Sequence, residues 1–239
     1  MAATLMTRYL AELVGTFIMI LLGDGAVANV FLKKGKAGSS GWLGISLGWA
    51  TAVAVPVWIF GGISGAHFNP SVTLGLAVIG KFPVSEVLPY LGAQFIGAFL
   101  GAVAVFVIFY KQFQATDDTE AKLGTFTTIP AVRSYFLNFV GVFIEAFILV
   151  FTITATTTMH LASGMMGLIV FVVIFVIVFT IGGTTGCPLN AARDLAPRIA
   201  HALLPVPGKG TSDWRYAWIP VVGTALGGIC GAVLYVSIF

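Results

Sequence analysis

Two short stretches hold the residues whose types and spacing could do chemistry. Ser64-Gly65-Ala66-His67-Phe68-Asn69-Pro70-Ser71 and Thr185-Gly186-Cys187-Pro188-Leu189-Asn190-Ala191-Ala192-Arg193-Asp194 each run from small residues into an asparagine, then into roughly ten residues of helical character. An asparagine that opens a helix is an N-cap, and Pro70 suits a first helical position. Helices this short cannot cross a bilayer. Irregular backbone survives at membrane depth only where it lines a cavity or is buried in protein. The segments Gly65-Ala66-His67-Phe68 and Gly186-Cys187-Pro188-Leu189 can therefore turn successive carbonyls toward a pore. A ladder of acceptors with apolar side chains opposite suits a solute with hydroxyls on one side and carbons on the other. Where the half-helices meet, Asn69 and Asn190 can offer amide donors to the passing molecule. Two helix N-termini facing the centre, each with about half a positive charge, repel cations and break proton conduction along a file of water.

Arg193 stands one turn into the second half-helix. A guanidinium at that depth is costly unless hydrogen-bonded and facing water, so it reads as a donor to solute oxygens that also repels cations. Asp194 reads as an acid in the first turn of a helix, a favourable dipole position. Glu12 and Glu145 are intramembrane carboxylates, open to a proton-relay reading. Their matching places in the two halves favour a bracing role, each holding one irregular loop by hydrogen bonds to its backbone. His67 reads as a packed, hydrogen-bonded residue beside the loop, with a pH gate as the alternative. Nucleophile–base pairings, metal clusters and phosphate loops are not recognisable, so neither an enzyme nor a cofactor is indicated. Cys187 and Cys230, both in apolar sequence, suit neither a disulfide framework nor a metal site.

The elements that must position these residues belong to an integral membrane protein. Apolar residues make up 58% of the 239 positions and charged residues 9%, too few to cover a soluble surface, while a net charge of +3 gives no footing for nucleic acid. A hydrocarbon core takes about 20 helical residues. On that ruler six spans fall near 8–31, 42–61, 84–110, 135–157, 164–183 and 215–238, with half-helices at 69–79 and 190–201. The order span, span, half-helix, span is given twice, over approximately 1–122 and 123–239. Three spans per unit make the second copy inverted, so the expected fold is all-α, six transmembrane helices plus two re-entrant half-helices, in one channel domain. Gly97 and Gly101 in span three, with Gly223, Gly227 and Gly231 in span six, read as packing seams. Two longer connections, 111–134 and 202–214, are expected, and Trp42, Trp214 and Trp218 fall near span ends, where interfacial rings are favoured. An N-terminal stretch ending in Ala26-Val27-Ala28 loosely imitates a signal peptide, but Glu12 and Asp24 interrupt it. With a cytoplasmic N-terminus the inside loops would carry Arg8 and Lys81, and Lys33, Lys34, Lys36, Lys111, Lys122, Arg133, Lys209 and Arg215 would face outside. The positive-inside rule votes against that arrangement.

Paired Asn-Pro-Ala-type motifs with an arginine after the second resemble those of the aquaporin family, specifically its glycerol-facilitator branch. The resemblance covers nearly the whole chain. Arg193-Asp194 is similar to that branch's Arg-Asp pair, Thr125-Phe126-Thr127-Thr128 with Pro130 to its third connecting loop, and Pro220-Val221 to its last span. The resemblance implies a selectivity filter of four positions, which fall on Trp49, Val178, Cys187 and Arg193. Trp49 is the residue expected of the branch; Val178 and Cys187 depart from its usual glycine and aromatic. Ser71 and Ala191 depart from the motifs themselves, and losing proline at 191 removes some preorganisation of the half-helix. Also implied are a cytoplasmic N-terminus, residence in the plasma or inner membrane, lipid contact, and a homotetramer with one pore per subunit. The implied function is passive passage of glycerol and other small neutral solutes with some water, excluding ions and protons. The altered filter leaves open a broader range (dihydroxyacetone, urea, hydrogen peroxide, undissociated lactic acid) or a mainly water-conducting pore. A proton-coupled transporter working through Glu12 or Glu145 is the rival of another class.

Overall fold

The computed structural model describes residues 3–239. The first half comprises α1 (Leu5–Phe31), α2 (Gly41–Ser64), the short α3 (Pro70–Val78) and α4 (Val87–Ile108). After two small helices, α5 (Tyr110–Ala115) and α6 (Thr119–Phe126), the order repeats. It runs through α7 (Tyr135–Thr156), α8 (Met165–Thr180), the short α9 (Ala191–Leu203) and α10 (Thr224–Ile238). Among the described residues, five helical stretches are long and apolar enough to cross a membrane. Their outer faces keep large apolar side chains exposed, Leu88 at 79% and Phe136 at 74% among them, which is the surface a lipid-facing helix needs.

The sixth, α8, has 16 residues, about 24 Å at the usual rise. The span expected over 164–183 is thus trimmed at both ends. Gly164 stands left-handed at its N-cap, φ 79°, and Gly182–Thr184 forms a 3-10 turn in place of a last α turn. The span expected from 215 also begins late, at Ile219, with Pro220 in its first turn. A π-helical segment Ile219–Gly223 precedes α10, and the Thr224 hydroxyl donates to the Pro220 carbonyl at 2.6 Å.

Packing follows the glycines. α1 lies along α4 and α7 along α10. A side chain at Gly97 would fall on the Leu13 carbonyl, and one at Gly227 on the Phe143 carbonyl. Each half-helix, by contrast, packs against the other half: α3 on α10 and α9 on α4. Ser71, at the start of α3, sits over Gly228, where an added Cβ would come within 2.9 Å of the Ser71 Cβ.

The connection expected over 111–134 is more ordered than a loop. Asp118 caps α6 by accepting from the N–H of Glu120 at 2.8 Å and of Ala121 at 3.1 Å. Phe113 and Phe126 stack at 5.6 Å, and Phe126 meets His201 of α9 at 5.4 Å. The 202–214 connection is drawn in by two lysines. Lys209 Nζ donates to the carbonyls of His201, Ala202 and Leu204, capping α9, and Lys122 Nζ donates to Pro207 at 2.6 Å.

Candidate functional site

The two irregular stretches have matching backbones. Gly65, Ala66 and Phe68 have φ of 85°, 52° and 48°, and Gly186, Cys187 and Leu189 have 80°, 56° and 55°. Left-handed conformation costs a non-glycine residue roughly 1–2 kcal/mol, so two such residues per loop need support from around them. On the first loop that support is Glu12, fully buried in α1. Its carboxylate accepts from the N–H of His67 at 2.9 Å and Phe68 at 2.7 Å, the Ser64 hydroxyl at 2.7 Å and the Gln94 amide at 2.9 Å.

The second loop keeps only part of this bracing, the counterpart of the Ser64 hydroxyl, which donates to Glu12 and accepts from the N–H of Ala66 at 3.0 Å. Glu145 accepts from the Thr185 hydroxyl at 2.7 Å, and Thr185 in turn accepts from the N–H of Cys187 at 3.0 Å. Direct backbone bonds of the kind expected for both carboxylates are thus found at Glu12, whereas Glu145 acts through Thr185. Pro188 stands where the first loop has His67, and proline has no N–H to donate. Among the described residues Glu145 Oε2 has no hydrogen-bond partner.

The asparagines tie the loops together. Asn69 Oδ1 accepts from the N–H of Ser71 at 2.9 Å, and Asn190 Oδ1 from Ala192 at 2.9 Å and Arg193 at 3.1 Å. Each amide nitrogen then crosses to the opposite loop, Asn69 Nδ2 to the Leu189 carbonyl at 2.9 Å and Asn190 Nδ2 to the Phe68 carbonyl at 2.8 Å. One amide hydrogen of each asparagine is therefore committed to structure, leaving one for a solute.

Two cavities meet here. The wider, about 400 Å³, is lined by residues of α1, α2, α6, the 127–131 segment and the second loop. The narrower, about 60 Å³, continues past Ala66, His67, Pro188, Leu189 and both asparagines. The residues lining both are Trp49, Val178, Cys187 and Arg193. They form the neck between the cavities. Of the other residues expected to present carbonyls, Gly186 lines the wider cavity, while Gly65 and Phe68 line neither.

Each wall of the neck has its own positioning. α2 brings Trp49, whose ring centroid is 4.3 Å from the Arg193 guanidinium carbon. Trp42, expected as an interfacial anchor, instead lines the wider cavity and donates its indole N–H to the Val178 carbonyl at 2.9 Å. Gly182 leaves room for Cys187, since a Cβ there would lie 2.8 Å from its sulfur. Arg193 donates to the Phe126 carbonyl at 3.2 Å, the last residue of α6, so the connecting segment supplies part of the neck. Asp194 does more than occupy a first turn. It accepts from the N–H and hydroxyl of Thr128 at 2.8 and 2.6 Å and pairs with Arg198, itself fully buried, at 2.8 Å. His67 lies against Phe82 and Tyr90 at 4.7 and 5.2 Å, with Nδ1 3.1 Å from the Thr73 hydroxyl.

Several positioning residues escaped the sequence reading: Gln94, Trp42, Arg198 and Asp24. Gln94, Arg198 and Asp24 carry the one signal that could have flagged them, a polar or ionisable side chain within an apolar helix. Trp42 has no such signal, because its partner is a backbone carbonyl 136 residues away.

An apolar helical bundle with two half-helices joined at their asparagines, and two cavities meeting at a four-residue neck, defines a class: a membrane channel. The sequence model of the family described as Major intrinsic protein matches residues 2–235, and the chain belongs to that family. It is 48% identical over 234 residues to a probable glycerol uptake facilitator protein of Thermotoga maritima, covering 98% of this chain and 100% of that one. It is 46% identical over 234 residues to the glycerol uptake facilitator protein of Bacillus subtilis, covering 98% of this chain and 85% of that protein. Among solved structures, the aquaglyceroporin from Plasmodium falciparum superposes with a TM-score of 0.86 at 28% identity, covering 97% of this chain and 96% of that one.

Proposed function

We propose that this chain is a passive channel for glycerol and similar small neutral solutes, with Trp49, Val178, Cys187 and Arg193 as its selectivity filter. The observation that carries this reading is the neck itself: those four residues are the ones lining both cavities. The indole supplies an apolar plate for the carbon side of a polyol, and the guanidinium supplies donors for its hydroxyls. Below the neck, the loop carbonyls and the remaining amide hydrogens of Asn69 and Asn190 continue the polar track. Water follows the same path, and the N-terminal ends of α3 and α9 with Arg193 hold back cations and protons. The two halves, 1–122 and 123–239, form one channel domain, because each half-helix packs on the other half. The protein works in the plasma or inner membrane, N-terminus cytoplasmic, as a homotetramer in lipid, without cofactor or catalysis.

A wider solute range is the second reading. It is favoured by Cys187, a small side chain on one wall of the neck, with Val178 refilling part of the opposite wall. Stopped-flow light scattering of proteoliposomes tests both. Fast reswelling under a glycerol gradient is expected, and a solute panel then ranks urea and dihydroxyacetone against it. Water flow without glycerol entry would overturn the glycerol reading.

A further inference from the structure

Asp24 lies in α1 with 0% of its surface exposed. Its Oδ1 is 3.5 Å from Arg193 Nη1. Among the described residues, neither of its oxygens accepts a hydrogen bond. A buried carboxylate without donors keeps its charge only against a nearby opposite charge. The carboxylate next to Arg193 in sequence is already engaged: Asp194 Oδ1 accepts from Arg198 and its Oδ2 from Thr128. The counter-charge to the neck's guanidinium is therefore Asp24. One residue earlier, Gly23 lies beneath the Trp49 ring, where any side chain would collide with it. α1 thus backs the neck at two consecutive positions, under its aromatic wall and behind its cationic one.

A guanidinium alone at the neck, beside two helix N-termini each carrying about half a positive charge, would make a strongly anion-attracting constriction. We propose that Asp24 is the anion-excluding residue of this channel. Its carboxylate cancels the charge of Arg193 from behind the pore wall, so the neck offers donor hydrogens with little net charge. Arg193 keeps Asp24 from drawing cations into the neck, Asp24 keeps Arg193 from drawing anions, and neutral polyols are what remains. The proposal rests on the reading of the neck as the selective point of a solute channel.

The test compares wild type, Asp24→Asn, Arg193→Gln and the double variant. Potassium and chloride permeability are read from reversal potentials in planar bilayers under a potassium chloride gradient, and glycerol flux is measured in matched proteoliposomes. Asp24→Asn is expected to raise chloride conductance on the order of tenfold. Arg193→Gln, which leaves Asp24 uncompensated, is expected to raise potassium conductance, and the double variant to return both toward wild type. Folded Asp24→Asn protein with wild-type chloride exclusion would overturn the proposal. If that variant does not fold, equal potassium conductance in Arg193→Gln and the double variant would overturn it instead. Wild-type protein that carries no glycerol would sink the channel reading alone, because the ion comparison between variants does not depend on glycerol.

Discussion

At the scale of single residues, the two bracing glutamates are related by position but not by chemistry. Glu12 holds its loop through two backbone N–H groups, a hydroxyl and an amide, whereas Glu145 holds one hydroxyl. Hydrogen bonds to a charged acceptor contribute about 1.5–3 kcal/mol each. Glu12→Gln is accordingly expected to destabilise the protein by at least about 2 kcal/mol, and Glu145→Gln by roughly half that. Thermal unfolding in detergent would check the ranking, and equal losses would refute it. Cys187 makes a second prediction. Because Cys187 lines both cavities, mercurials are expected to slow glycerol flux in wild type and leave Cys187→Ser unaffected; persistent inhibition of that variant would remove Cys187 from the neck. Arg193 and the two glutamates were legible in the sequence because each is a costly group in an apolar setting, and both asparagines because each opens a short helix in a motif given twice. The relays through Ser64 and Thr185 were not, because each depends on how a small hydroxyl is placed between a distant carboxylate and the loop.

At the scale of elements, the half-helices are seated rather than merely capped. Ser71 replaces the alanine expected from the family resemblance, and among the described residues its buried hydroxyl has no hydrogen-bond partner. Removing an unsatisfied buried hydroxyl relieves a penalty of about 1 kcal/mol, so Ser71→Ala is expected to raise stability slightly. Gly228→Ala is expected to cost about 1–3 kcal/mol by overpacking α10 against α3. Thermal melts of both variants, compared with wild type, decide the matter; a neutral Gly228→Ala would show that the seat is loose. The long helices and the glycine seams could be read from hydropathy and spacing. The 111–134 connection could not, because α6 is held by distant partners: Lys122 by Pro207, Phe126 by His201, Thr128 by Asp194. Local sequence contains no record of partners 66 or more residues away.

At the scale of the whole molecule, the polar track passes through one neck whose four side chains come from α2, α8, the second loop and α9. A passive channel of this kind predicts glycerol flux proportional to the gradient and indifferent to a pH difference across the membrane. Accumulation of glycerol against its gradient when a pH difference is imposed would favour the coupled transporter instead. The repeat was readable because it is written in element order, but the interlock of each half-helix with the opposite half was not. The crossed bonds of Asn69 and Asn190 give that interlock a clock. The Leu189 acceptor of Asn69 lies 120 residues further along the chain. At a synthesis rate of about 5–20 residues per second, the first loop exists for roughly 6–24 s before its partner has been made. During that interval its support comes from its own half, from Glu12, Ser64 and Gln94, and the second loop is born facing a scaffold already in place. The heavier brace belongs to the loop that has to wait.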